Sequence, residues 1–142
     1  MTIEAVQFTW KTAAILVARL IFAGIFAMAA AFKFMDMEGT VSYIAAAGFP
    51  LSLLLAWFAA LFESALVLCF LTGAYFSEAA LSGAAYVLFL GVTFHGPAHW
   101  AGNQTEFGFF VDHFTFVAGL LFAAVHGPGR LLAIKHGLIT GD

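Results

Sequence analysis

The stretch Leu51–Thr72, LSLLLAWFAALFESALVLCFLT, decides the architecture. As a helix it would extend about 33 Å, the thickness of a bilayer's hydrocarbon core, with Glu63 as its only charge. Three more runs of this kind flank it. Thr12–Phe32 is interrupted only by Arg19, Ala79–Phe94 carries no charge, and Phe107–Val125 holds Asp112 and His113 in its first half. With their ends included, the spans fall at about 12–34, 51–72, 78–95 and 107–126. The reading is an all-α, polytopic membrane protein: one membrane domain over residues 1–142, an antiparallel bundle of four transmembrane helices.

Composition agrees. The chain is 63% hydrophobic and 9% charged, against roughly half and a quarter in soluble domains, which excludes both an ordinary soluble globule and disorder. Five Lys and Arg under a net charge of -3 leave no basic face, so no nucleic-acid partner is expected. A lone cysteine, Cys69, excludes a disulfide framework, a CxxC pair and a zinc knuckle. There is no haem-attachment motif, GxGxxG or P-loop. Ala27-Met28-Ala29 resembles a signal-peptide cleavage site, but the run before it is too long for an h-region and contains Arg19, so the first span is read as retained.

The links are legible. Met35–Phe49, MDMEGTVSYIAAAGF, is too polar at its start to span, and Val41, Ile44, Ala45 and Phe49 have helical spacing; a short interfacial helix is expected between spans one and two. Pro50 suits the first turn of the next helix. Gly73–Ser77 is a tight hairpin, with Ser77 and Glu78 resembling a helix start. His126-Gly127-Pro128-Gly129 is a stop. An even number of spans puts both termini on one side. That side holds Lys11, Arg130 and Lys135 against Lys33 alone on the other, so the termini are expected in the cytoplasm.

Charges inside spans are costly and need partners. Arg19 lies about 12 Å from the inner surface and Glu63 about 13 Å, counted along neighbouring antiparallel helices. A structural Arg19–Glu63 ion pair is the expectation. Near the outer surface gather Lys33, Asp36, Glu38, His95, His99, Glu106, Asp112 and His113, with Tyr43 and Trp100. Asp112 has no cation on its own helix nearby, so its partner is expected to be Lys33 or a histidine. A protonatable group in an apolar aromatic wall suits a quinone head group. The functional centre is therefore placed on Asp112, His95 and His113, with Lys33, Trp100 and His99 on the cofactor side. A metal held by His95, His99 and His113 is a weaker alternative, because Gly96-Pro97 breaks the helical i, i+4 face. Interfacial solvation is the plain alternative for the whole cluster.

The chain resembles the DoxX-like family of small four-helix membrane proteins. The resemblance rests on Arg19-Leu20 with Gly24 and Lys33 behind it, Ala47-Gly48-Phe49-Pro50, Leu54–Glu63 (LLAWFAALFE) and Leu71-Thr72-Gly73. It continues through Thr93-Phe94-His95, His99-Trp100, Phe110–Leu121 (FVDHFTFVAGLL) and Gly127-Pro128-Gly129-Arg130. It implies a four-helix bundle in the bacterial inner membrane and a redox association: some relatives are subunits of a thiosulfate:quinone oxidoreductase, and others accompany oxidative-stress enzymes. Two departures stand out. Leu131–His136 replaces the family's Ser-x-Asp, and Asp112-His113 stands where one subgroup has Lys-Asn. Relatives tied to disulfide chemistry fit poorly, since Cys69 has no partner. Three functions follow, in order: a membrane subunit or partner of a quinone-linked oxidoreductase, a non-catalytic scaffold of a larger complex, and a small permease. The expected partners are the bilayer and another protein or a second copy of the chain.

Overall fold

The computed structural model describes residues 8–139. Five α-helices follow in order: α1 Trp10–Met35, α2 Met37–Ala46, α3 Ser52–Thr72, α4 Phe76–His95 and α5 Gln104–His126, with a 3-10 turn at Pro97–His99 before α5. There is no strand among the described residues. All but α2 are long and apolar enough to cross a membrane, so the chain is a multi-pass membrane protein. The short helix α2 forms where the polar link was expected to be helical.

α1 and α3 each bury one narrow stripe, while α4 buries a broader face. On α1 it is Arg19, Ala23, Phe26 and Ala30; on α3 it is Ala56, Ala60, Glu63, Leu66 and Phe70. These positions recur every three or four residues, the period of one helical face. The opposite faces expose Leu20, Ile21 and Met28, and Leu53, Leu54, Phe58, Leu61 and Leu68, the surface a lipid-facing helix presents. The small alanines let α1 and α3 approach closely, while α4 and α5 form the other extensive contact. Between these two pairs the core is aromatic. Phe22 and Phe26 meet Phe70 at ring-centroid distances of 5.5 and 5.8 Å, and Phe116 at 5.4 and 5.5 Å. Rings thus fill the space between α1 and α5, whose backbones stay apart.

The ends differ from the sequence reading in instructive ways. Pro50 lies ahead of α3, because Leu51 takes a left-handed conformation (φ 56°) before the helix starts. Ser77 is inside α4 and buried, not its cap; Tyr75, also left-handed, precedes the helix. Glu78 instead accepts the backbone N–H groups of Leu138 and Ile139, so the segment after α5 returns to the start of α4. Ile134 N–H donates to Thr72 O at 2.8 Å in the same place. α5 stops at His126, as the Gly-Pro-Gly signal indicates.

α4 and α5 touch closely at Gly91, where a Cβ would stand 2.7 Å from the Cβ of His113. That neighbour is the root of a side chain, so the helices themselves would have to separate. Gly91→Ala is expected to cost about 1–3 kcal/mol, the usual penalty for overpacking. Gly24→Ala, where a Cβ meets nothing within 4 Å, is expected to be neutral or stabilising. Thermal unfolding in detergent compares the two; equal midpoints would show that the α4–α5 contact is looser than this.

Candidate functional site

The two mid-span charges do not meet. Arg19 is 2% exposed and gives its guanidinium entirely to backbone carbonyls. Nε donates to Phe70 O (3.1 Å), Nη2 to Leu71 O (2.8 Å) and Leu132 O (3.0 Å), and Nη1 to Leu131 O (2.7 Å) and Pro128 O (3.3 Å). Glu63 is instead salt-bridged to Lys33, Nζ to Oε1 at 2.8 Å. The expected Arg19–Glu63 pair is therefore corrected, and the reason is directional. Helical side chains lean toward the helix N-terminus. Arg19 leans toward the start of α1, where the last carbonyls of α3, left without helical donors, await it. Lys33 leans back from the other end of α1, passing Ala29 O at 3.4 Å, and so reaches Glu63.

Glu63 is 1% exposed, and its Oε1 also accepts the Tyr86 hydroxyl at 2.8 Å. Its Oε2 is buried with no partner among the described residues. Tyr86 is held edge-on against Phe62, centroids 5.2 Å apart. Lys33, Glu63 and Tyr86 thus form a polar triad contributed by α1, α3 and α4, its carboxylate buried and the other two side chains half-buried. The sequence reading did not single out Tyr86. Its signal was available: a phenol inside a charge-free span needs an acceptor, and the nearest carboxylate was on the neighbouring helix.

Lys33 and Tyr86 face a cavity of about 840 Å³ bounded by α1, α2, α3 and α4 and lined also by His113 of α5. Its wall is aromatic, including Phe32, Phe49, Phe58, Phe89 and Phe94. His95 and Tyr43 lie at the other end from Tyr86; nine residues of α4, about 13 Å, separate Tyr86 from His95. His95 Nδ1 pairs with Glu106 Oε2 at 2.7 Å, and its carbonyl accepts the Trp100 indole N–H at 2.7 Å. Its ring lies 5.0 Å from that of His113, whose Nδ1 donates to Phe109 O at 2.7 Å. Tyr43 stacks on Phe94 at 5.0 Å. Partial burial, and then the Glu106 carboxylate, hold its phenol above the ordinary value, so it stays a neutral donor at neutral pH.

The outer cluster is therefore assembled only in part. His95 and His113 come together on the cavity and Lys33 lines it, while Trp100 braces the His95 carbonyl from outside, between Phe107 and Phe110. His99 is exposed in the 3-10 turn and lines neither cavity. Asp112 is exposed on α5 and has no ion pair among the described residues, so the expected partner, Lys33 or a histidine, is not found there: Lys33 pairs with Glu63 and His95 with Glu106. Among the described residues no three His, Cys, Asp or Glu side chains stand together as a group that could hold a metal ion.

A family model described as DoxX matches residues 14–96, more than half of the chain, covering α1 through α4 and with them Lys33, Glu63, Tyr86 and His95. No curated protein and no solved structure matches.

Proposed function

The chain belongs to the DoxX family, and on that premise we propose that it is a membrane component of a quinone-linked redox system that holds a quinone head group in the cavity between α1, α2, α3 and α4. The carrying observation is the cavity itself: about 840 Å³, walled by aromatic rings, with the Lys33–Glu63–Tyr86 triad at one end and His95 at the other. That volume lies in the range of small-molecule sites, and a few placed polar groups in an apolar wall are how such sites orient a ligand. A quinone needs a donor at each ring oxygen and flat apolar contact between. Lys33, whose ammonium has a third N–H beyond those given to Glu63 and the Ala29 carbonyl, supplies one end, and His95 and Tyr43 the other. Met35, Phe58 and Phe89 are exposed at the rim, which suits entry from the lipid.

The excess of Lys and Arg at the termini supports a cytoplasmic side for both termini in a bacterial inner membrane, with the His95 end of the cavity toward the outer side. A reporter fused behind Arg130 is expected to read cytoplasmic; a periplasmic reading reverses this assignment.

Purification in mild detergent followed by organic extraction is expected to recover a quinone. A short-chain benzoquinone is expected to bind saturably, with Lys33→Met and His95→Ala each weakening it about tenfold or more, or about 1.4 kcal/mol. Stoichiometric partner chains without quinone, and no saturable binding, would replace this reading by the scaffold.

A further inference from the structure

A second cavity of about 490 Å³ lies on the other side of the triad, between α1, α4 and α5. Tyr86 and His113 line both cavities. Glu63 lines the second one and is the only member of the triad that does so besides Tyr86; Asp112 lies on its α5 wall. Glu63 Oε1 takes two donors, and the buried Oε2 takes none among the described residues. The carboxylate therefore keeps a free acceptor atom beside the second cavity. The charged and titratable groups around Glu63 are Lys33 on α1, Tyr86 on α4, and Asp112 and His113 across the second cavity on α5.

We propose that Tyr86 and Glu63 form a proton relay that carries the proton of a ligand hydroxyl from the first cavity to the second, with Asp112 as the outlet. This rests on the quinone reading, the hydroxyl being that of the quinol. The ligand O–H bond breaks and its electron pair stays on the ligand oxygen. The proton bonds to the Tyr86 oxygen while the Tyr86 hydrogen passes over 2.8 Å to Glu63 Oε1. Tyr86 is regenerated, Glu63 becomes a neutral acid, and Lys33 is released to neutralise the ligand anion. The step moves one proton and no electrons, so it needs no oxidant. Asp112, exposed and free of an ion pair among the described residues, takes the proton on from Glu63 through the second cavity.

The test is infrared difference spectroscopy of the full chain in detergent, with and without saturating decyl-benzoquinol. A carboxylic-acid C=O band is expected to appear on binding, to vanish in Glu63→Gln, and to be lost in Tyr86→Phe, which leaves the Lys33–Glu63 pair intact. Asp112→Asn is expected to keep the band and slow proton release to the solvent at least tenfold. Saturable quinol binding without the band, a band that survives in Glu63→Gln, or an unchanged one in Tyr86→Phe would each overturn the relay while leaving the quinone site standing. Absence of saturable quinol binding to the unaltered protein would instead remove the quinone reading, and the relay with it.

Discussion

Arg19→Met is expected to destabilise the protein by about 3–5 kcal/mol, among the largest effects any single change should produce here. The guanidinium is buried and donates to five carbonyls: Phe70 and Leu71 at the end of α3, and Pro128, Leu131 and Leu132 beyond α5. Two of those carbonyls lie in the last turn of α3, where no helical N–H reaches them and the helix dipole favours a cation. Removing the side chain takes the donor from all five, and each acceptor that is buried without a donor costs about 1–3 kcal/mol before relaxation. Arg19→Lys is expected to recover only part of the loss, because an ammonium has three donors and no planar fork. Reversible unfolding in detergent measures the stability, and limited proteolysis between Pro128 and Ile139 is expected to quicken as the returning segment loses its hold. If Arg19→Met unfolds within about 1 kcal/mol of the unaltered protein, these bonds are not made in the bilayer.

The spans and their order were legible because lipid imposes a simple demand: every backbone group must be paired within the segment, so a long apolar run is a helix. The misassigned pair shows where that reading stops. Depth was counted along the Cα trace, and on that count Arg19 and Glu63 are level. Their head groups are not, since α1 side chains lean toward its N-terminus, which lowers Arg19 to Phe70–Leu71 and lowers Lys33 to Glu63. Arginine also has five donors, more than one carboxylate can satisfy, and unpaired helix-end carbonyls compete well for them. Tyr86 was invisible for another reason: hydropathy treats tyrosine as nearly apolar, so a span that holds one still reads as uncharged. Asp112 drew attention as a carboxylate within a span, yet periodicity alone does not say which side of α5 faces the bundle. His95 and His113 come within ring contact because a short link ties the end of α4 to the start of α5, and short links keep their neighbours near.

The Lys33–Glu63 pair gives the second large effect, and it separates structure from the pairing the sequence suggests. Lys33→Met is expected to cost about 3–5 kcal/mol, because it strands a carboxylate that is 1% exposed and already has one unbonded oxygen. Glu63→Leu alone strands an ammonium, but Lys33 is 21% exposed at its side chain, so part of that charge can turn outward and the loss should be smaller. The double variant removes both charges and is expected to lose clearly less than the sum, with a coupling of about 2 kcal/mol. The same cycle on Arg19 and Glu63 is expected to be additive to within about 0.5 kcal/mol, since neither touches the other. Strong coupling in the Arg19 cycle with none in the Lys33 cycle would return Glu63 to Arg19. The carboxylate would then be fixed at the opposite end of the bundle's interior, far from Tyr86 and from the cavity whose polar end the triad forms.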